Sequence, residues 1–352
     1  MKTRLIFGVL CSLLISAVAG VGISVATGLP ALPVSGVLMG ISLIPLPSMA
    51  GVALATVYGE VWTKEVIKGF NLAVKDTFLD GIPDYSQYVV GDDEAQVIHS
   101  VFFGVNPAVL INNSTYPIAI AALDGSDVAI SLDKYQTTAT PITDDELYAL
   151  SYDKMAAVKQ AHVDAIVGNR LKKAIHAMAP ASHAAKTPVL LTTGALANGS
   201  RRLLWEDVIA LRQAFIDGGI PIEDLRLVLS SSHTNDLLLA DQAFAKSYVN
   251  RQEGVISNQL GLEIREYAMN PYYTVSTKAK LAFGGTVTAT ERQASVVFNV
   301  KRARKATGKT KMYFSEAKSD PLAQRNLVNF RNYFIALPSQ NEAIGAIVSA
   351  LS

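Results

Sequence analysis

The fold of this chain is decided by one stretch, TDDELYALSYDKMAAVKQAHVDAIVGNRLKKAIHAM, residues 143–178. Thr143 and Glu146 form a capping-box pattern, in which a hydroxyl and a carboxylate bind backbone N–H groups that have no partner in the first helical turn. Apolar residues then recur every three or four positions, and Pro180 ends the pattern. The apolar stripe consists of Val163, Val167, Leu171, Ile175 and Met178. We predict one helix roughly 50 Å long, a span that few compact enzymes of this size need.

The residues before this stretch favour β-structure. Residues 60–84 predict an arm with a short helix, which ends at the turn signal Asp80-Gly81-Ile82-Pro83-Asp84. Between Tyr85 and Tyr135, β-branched and aromatic residues predict a long β-hairpin or a small β-rich excursion. Its predicted strands are 97–103, 116–120 and 128–132, with turns at Asn112-Asn113 and Asp124-Gly125.

After Pro188 the chain alternates between strand and helix patterns, which predicts a mixed α/β region. The predicted strands are 189–192, 226–229 and 262–267, and the predicted helices are 204–217, closed by Gly218-Gly219, and 236–244. A second strand-rich stretch follows, with predicted strands at 294–300, 311–314 and 330–337. We find no internal repeat and no low-complexity tract.

The N-terminal segment differs in composition from the rest of the chain. Of 352 residues, 50% are hydrophobic and the formal net charge is +1, which excludes a disordered chain and gives no overall pull toward nucleic acid or anionic membrane. No Asp, Glu, Lys, Arg or His occurs from Leu5 to Gly59, whereas the remainder holds all 30 acidic residues and all the basic ones except Lys2 and Arg4.

This segment has three interpretations. Lys2 and Arg4, the apolar run from Leu5 and the small residues Ala17-Val-Ala19 follow the order of a secretory signal. Residues 5–25 also have the length of a membrane-spanning helix. The third interpretation is an incorrectly assigned start codon, with the true start at Met39 or Met49.

No short motif supplies a coherent catalytic or metal site. Gly308-Lys309-Thr310 resembles the end of a phosphate-binding loop, but Ala303 stands where the motif needs glycine, so we predict a solvated turn. The single cysteine, Cys11, excludes an internal disulfide. Ser230-Ser-Ser-His233 lacks the flanking glycines of a nucleophile elbow and predicts a strand-to-helix turn, with Ser232 or Thr234 as the cap.

The remaining candidates have simple explanations too. Gly91-Asp92-Asp93 could bind a metal, but it reads more simply as a turn. The sequons at Asn112, Asn113 and Asn198 matter only in a glycosylating pathway. Basic residues cluster from Lys301 to Lys311, where contact with phosphate and a solvated loop are equally supported. The five histidines, at positions 99, 162, 176, 183 and 233, show no metal-ligand spacing. His176 and His183 could meet near the end of the long helix. A histidine whose charge faces the C-terminal end of the helix dipole is the commoner arrangement there.

The order of elements and several phrases resemble the major capsid proteins of tailed bacteriophages, which share the Hong Kong-type shell fold with encapsulins. The resemblance covers Glu60 to the C-terminus and is strongest to phages of Bacteroidetes-type bacteria. The phrases that carry it are LDKYQTTAT (132–140), DDELYALSYDKM (144–155), KAIHAMAP (173–180), ASVVF (294–298) and FRNYF (330–334).

The resemblance implies an α+β fold with an N-terminal arm, an extended β loop, a long spine helix, a mixed axial domain and a peripheral strand region. The expected divisions are an uncharged N-terminal segment, 1–58; arm and β loop, 59–140; spine helix, 141–186; axial domain, 187–289; and the return to the peripheral domain, 290–352. The N-terminal segment departs from the family pattern.

The function implied by the resemblance is self-assembly into pentamers and hexamers of an icosahedral shell around phage DNA, in the virion. We expect no enzymatic activity, no catalytic, cofactor-binding or metal-binding residues, and no cofactor. The implied partners are other copies of the chain, portal or scaffold proteins, DNA non-specifically at most, and a membrane through the N-terminal segment. The alternatives are an exported or membrane-anchored protein of the bacterial envelope and an encapsulin-like protein compartment.

Overall fold

The structure is a computed structural model, and the chain in it divides into two compact units, Met1–Glu60 and Val61–Ser352. It describes residues 63–70, 77–91, 96–103, 125–143, 154–249, 255–316, 322, 325–339 and 341–351, all of them in the second unit. The uncharged segment and Cys11 therefore lie outside the described residues. Within the described ranges, no helix is long and apolar enough to cross a membrane.

The residues before the long helix form a short helix and a three-stranded antiparallel sheet. Helix α1 covers 63–70, as the arm prediction required, and a 3-10 turn covers Ser86–Tyr88. The strands are β1 (Val89–Gly91), β2 (Gln96–Phe103), β3 (Gly125–Ser131), β4 (Asp133–Gln136) and β5 (Thr140–Thr143). The order β1-β2-β3 confirms the predicted hairpin. The predicted turn residue Gly125 belongs instead to a strand, while 116–120 and Asn112-Asn113 lie outside the described residues.

The long helix α2 is described over Lys154–Met178, 25 residues or about 37 Å. Its predicted apolar stripe faces the core: four of the five side chains are buried, and Leu171 is partly buried. The helix ends before Pro180, as predicted. Thr143, our predicted N-cap, is the last residue of β5 and pairs with Arg325. Residues 144–153, which would form the first turns of the predicted helix, lie outside the described residues, so the capping box at Thr143 and Glu146 stays a prediction.

The mixed α/β region follows the prediction with one correction. Its helices are α3 (Trp205–Asp217), α4 (Ser231–Ala240) and α5 (Gln242–Val249), so the single helix predicted at 236–244 is in fact parts of two. Asp241 separates them with an extended backbone, and its carboxylate accepts a bond from Ala243 N at 2.8 Å. The strands are β6 (Val189–Leu191), β7 (Leu196–Ala197), β8 (Ser200–Arg201), β9 (Leu225–Leu229), β10 (Ser257–Gln259), β11 (Leu262–Glu266), β12 (Tyr272–Thr274), β13 (Ala279–Lys280) and β14 (Glu291–Asn299).

Three strands complete the chain: β15 (Ala303–Ser315), β16 (Arg325–Pro338) and β17 (Ile344–Val348). The predicted strand 311–314 is thus much longer, and β17 was not predicted. Most of the basic cluster from Lys301 to Lys311 lies in β15, as does Gly308-Lys309-Thr310, so the predicted loop and turn are wrong. Ladder pairing with β16, from Ala303↔Pro338 to Ser315↔Leu327, overrides the polar composition that favoured a loop.

The two largest of the described sheets share one apolar core. The larger has the order β10-β11-β9-β14-β12-β13, with β17 between β14 and β6; the smaller has the order β15-β16-β4, with β5 also on β16. One buried cluster contains Ile175 of α2, Phe298 of β14, Ala346 of β17 and Phe334 of β16. A second cluster fills the space between the larger sheet and helices α3 to α5. The long helix therefore packs on a core to which both sheets contribute.

Candidate assembly site

A strap connects α1 to the hairpin, and we define it as residues 77–86. Its side chains Phe78, Leu79 and Ile82 are buried in the cluster that both sheets share. Burial of large apolar side chains in a segment without regular structure indicates a fixed path, because leaving the core would return that area to water.

Two cationic side chains hold the strap by its backbone. The Nη1 of Arg226, on β9, donates to the carbonyls of Phe78 and Asp80 at 2.8 and 2.5 Å, and Nη2 donates to Glu263 at 2.7 Å. Lys305 Nζ, on β15, donates to the Leu79 carbonyl at 3.0 Å. Burial lowers the pKa of Arg226 and of Lys305, against the opposing influence of nearby carboxylates. The strap is thus tied to one strand of each sheet.

The hairpin meets the rest of the unit near its root. Ile98 and Leu132 pack against Ala306 and Tyr333 in a small buried cluster. The β2–β3 ladder runs over seven residue pairs, from Val97↔Ser131 to Phe103↔Gly125, a length of about 20 Å. At and next to the root, the side chains of His99, Ala129 and Ser131 are exposed. The apolar contacts of Ile98 and Leu132 therefore hold the root on one face and leave these positions accessible.

Helix α1 is held against α2 by an ion pair and a buried guanidinium. Lys159 and Glu65 form an ion pair at 2.6 Å. Arg170 is 3% exposed and lies between two aromatic rings, 3.9 Å from the centre of Phe334 and 5.3 Å from that of Phe70. Burial lowers its pKa to about 10, still well above neutral pH, so the charge is retained and cation–π contact supplies part of its stabilisation.

A groove of about 630 Å³ runs between α2 and the segment from β4 to β5. Tyr135, Thr138, Asn169 and Phe283 line it, together with His162. His162 is buried, its Nε2 has no partner among the described residues, and burial lowers its pKa. The groove mixes polar and apolar groups, as protein contact surfaces do.

His233, the last residue of the run Ser230-Ser-Ser-His233, belongs to a buried hydroxyl–imidazole network with serines from elsewhere in the chain. His233 is 0% exposed, with Nδ1 2.7 Å from Ser295 Oγ and Nε2 2.8 Å from Ser349 Oγ. Burial lowers the pKa of His233 to about 4, so the ring is neutral at pH 7. The predicted strand-to-helix turn is confirmed, but Ser230 is the N-cap; Ser232 and Thr234 lie within the first helical turn instead.

The two histidines near the end of α2 have separate partners. His176 Nε2 lies 2.9 Å from the Leu281 carbonyl, and His183 Nδ1 accepts a bond from Val189 N at 3.0 Å. Burial lowers the pKa of His176 and outweighs that hydrogen bond, so the dipole-stabilised charge we expected is disfavoured. Within the described ranges, no group of His, Cys, Asp and Glu could hold a metal ion.

The basic cluster is used inside the protein. Lys301 forms an ion pair with Asp224 at 2.6 Å, Arg302 lies 3.9 Å from Glu342, and Lys305 holds the strap. These contacts oppose a phosphate site at this end of the cluster. Of the other candidates, Gly91 ends β1, and Asn198 and Gly199 form the two-residue turn between β7 and β8, both with positive φ. Asp92, Asp93, Asn112 and Asn113 lie outside the described residues.

The residues that hold the strap and the hairpin root were not identified from the sequence. Arg226 stands alone in the apolar run Leu225-Arg-Leu-Val-Leu229, and a single charge in a buried strand is a signal that we did not use. Gln96 and Lys305 carried no such signal, because their partners are 213 and 226 residues away along the chain.

Solved structures show the same overall fold as this chain. A chain of the capsid of cyanophage P-SCSP1u matches with a TM-score of 0.51 at 14% identity, covering 78% of this chain and 88% of its own. A chain of the capsid of Ralstonia phage GP4 matches with 0.51 at 8% identity, with the same coverage. A chain of Mycobacterium phage Che8 matches with 0.50 at 12% identity, covering 77% and 90%. The protein therefore has an α+β capsid-shell fold. No protein-family model and no curated protein matches the sequence.

Proposed function

We propose that this protein is a major capsid protein of a tailed bacteriophage, which assembles into pentamers and hexamers of an icosahedral shell enclosing phage DNA. The observation that carries this proposal is the shared fold, which spans about four fifths of this chain and nearly all of the capsid chains it matches. The Bacteroidetes-type resemblance of the sequence supports a phage of such a host.

The contacts of the described residues support a structural role without enzymatic activity. A shell subunit works by presenting complementary surfaces that repeat by symmetry. The strap and the hairpin root are fixed within the subunit, and in this proposal the hairpin contacts a neighbouring copy. The polar groups that suggested chemistry, above all His233, are satisfied inside the core. Other copies of this chain are the main proposed partners; portal or scaffold proteins and non-specifically held DNA are further ones.

We propose that residues 1–58 are removed from the mature shell. Fifty-five consecutive uncharged residues, Leu5 to Gly59, would add a large apolar surface to every copy unless they were buried or inserted in lipid. The remaining divisions that we propose are 59–140, 141–186, 187–289 and 290–352, in the roles that the resemblance implies.

The test is to express the full chain and residues 59–352 and to examine each by light scattering and negative-stain electron microscopy. We expect closed particles or capsomers of five and six subunits. The control is a variant in which a short Gly-Ser linker replaces residues 104–124: it should keep the circular-dichroism spectrum of a folded chain but lose the particles. A compact monomer at every concentration would contradict the proposal. Recovery in the membrane fraction would favour the envelope protein, and particles filled with protein cargo would favour the compartment.

A further inference from the structure

Strand β15 lies at the edge of its sheet, and the strap and the hairpin cover one side of it. Three alternate backbone N–H groups of β15 find partners there. These bonds are Lys305 N to Pro83 O at 3.0 Å, Thr307 N to Ser86 Oγ at 2.8 Å, and Lys309 N to Gln96 Oε1 at 2.9 Å. Only the first is a backbone–backbone bond, so side chains make the contact at the other two positions.

The third bond lies at a β-bulge. The register with β16 shifts between Thr307, which pairs with Phe334, and Thr310, which pairs with Asn332. One extra residue in a strand leaves a backbone group out of the ladder. The N–H of Lys309 takes the side-chain oxygen of Gln96 as its acceptor, so the bulge is completed by a residue 213 positions away.

Gly308 leaves the space that Gln96 occupies. A Cβ on Gly308 would lie 1.8 Å from Gln96 Oε1 and 2.9 Å from Tyr333 Cβ, both closer than real contacts allow. The backbone of Gly308 is not left-handed, so glycine is needed here for the close approach and not for its conformation.

Gln96 joins this position to the root of the hairpin. It is the first residue of β2, is 2% exposed, and pairs with Gly91 of β1. Its carbonyl accepts a bond from Leu132 N at 2.8 Å, just beyond the end of β3. A shift of the Gln96 side chain would thus move all three strands of the hairpin sheet relative to β15.

We propose that Gln96 and Gly308 form a lock that fixes the direction in which the hairpin leaves the subunit, and so positions it for contact with a second copy of this chain. The apolar contacts at the root, such as Ile98 with Tyr333, hold the hairpin close but are non-directional. The hydrogen bond from Lys309 N to Gln96 Oε1 is directional, and its acceptor lies where Gly308 has no Cβ. It therefore allows one placement of the Gln96 side chain. This inference rests on the proposed function.

The experiment compares Gln96→Met, Gln96→Ala, Gly308→Ala and the double variant Gln96→Ala/Gly308→Ala in the full chain. Methionine keeps the size of the side chain but removes the acceptor, and alanine at 308 expels it. The matched control is Gly168→Ala, because a Cβ on Gly168 meets nothing within 4 Å. The first measurement is hydrogen exchange of the Lys309 amide and of segments 97–103 and 125–131. The second is particle shape by electron microscopy.

We expect Lys309 exchange to rise about tenfold in Gln96→Met, as for the loss of one hydrogen bond, while Gly168→Ala stays at the wild-type value. Particles of Gln96→Met should be irregular in curvature although the chain unfolds at nearly the wild-type temperature. The double variant should lose less stability than the sum of Gln96→Ala and Gly308→Ala, because the clash with Gln96 disappears with its side chain, although the close approach to Tyr333 Cβ remains.

The lock is overturned if hydrogen exchange at Lys309 and in the hairpin is unchanged in Gln96→Met. It is also overturned if the double variant loses as much stability as Gln96→Ala and Gly308→Ala lose together. If Gly308→Ala does not fold, Gln96→Met still decides. Regular wild-type-like particles of Gln96→Met with faster exchange overturn the positioning role. Absence of particles from the wild-type chain contradicts the proposed function, while the exchange measurement still tests the lock.

Discussion

Acidification should destabilise this protein through His233. Its ring is enclosed by Ser295 and Ser349, and Asp207 is the charged group whose attraction opposes the burial effect. The folded-state pKa is about 4, against 6.5 for an unperturbed histidine. Because the unfolded chain binds the proton more readily, the stability from this group is complete above about pH 6.5 and is lost as pH falls toward 4. The difference corresponds to about 3 kcal/mol in full and about 2 kcal/mol at pH 5.

The assay is urea unfolding at about pH 7 and about pH 5, followed through Trp205, whose ring lies 5.5 Å from that of Phe244 in the same region. Carboxylates also titrate toward the acid end, so the comparison is between variants. His233→Gln keeps hydrogen-bonding groups but cannot bind the proton, and it should lose less stability between the two pH values by about 2 kcal/mol. Asn235→Gln, at an exposed and non-titrating position of the same helix, is the control and should follow the wild type.

Equal losses of stability on acidification in the wild type and in His233→Gln would refute this reasoning. They would mean that the imidazole accepts its proton in the folded chain without cost, with both serine hydroxyls turning to receive its N–H groups.

Three further predictions concern the core, the strap and the N-terminal segment. Ile175→Ala should lower the free energy of unfolding by about 2–5 kcal/mol, because a large buried side chain is removed. Lys172→Ala, at an exposed position, should lower it by less than about 1 kcal/mol. Equal melting temperatures of the two variants would show that the buried face of the helix is wrongly assigned. Arg226→Met should lower the free energy of unfolding by about 3 kcal/mol and speed proteolysis of the strap. Glu263→Gln should lower it less, because the Arg226 guanidinium keeps its two carbonyl acceptors in the strap. Equal losses of stability in the two variants would count against the role of Arg226 in holding the strap. Mass spectrometry of purified particles should find no residues 1–58, and an intact Met1 would defeat the proposed removal.

The elements that the sequence predicted well are those set by local patterns. The α2 stripe repeats at helical spacing, and Gly218-Gly219 closes α3 where expected, with Gly219 at positive φ. The single helix predicted at 236–244 is divided at Asp241, whose carboxylate accepts a bond from Ala243 N. The other failures arise where distant residues decide. The basic cluster from Lys301 to Lys311 suggested a phosphate contact or a solvated loop because its partners, Asp224 for Lys301 and the Leu79 carbonyl for Lys305, come from far along the chain.

The same limits apply to the candidate site. The hairpin strands and the arm helix could be predicted from local residue patterns, but the bonds that hold them could not. Gly308 illustrates why: its glycine was read as part of a motif, whereas its role depends on Gln96, which no sequence spacing connects to it. The five residues of β17 are entirely buried, and such a short apolar run carries no period from which to assign it.

The covered side of β15 also affects how readily the chain aggregates when many copies are made at once. An open strand edge is a template on which another chain can add a strand, and repeated addition leads to fibres. Between Lys305 and Lys309 that template is already taken, by groups of the same chain that reach it through the strap and the hairpin root. This part of β15 is therefore closed to strand addition, which removes one route to aggregation at high concentrations of the newly made chain.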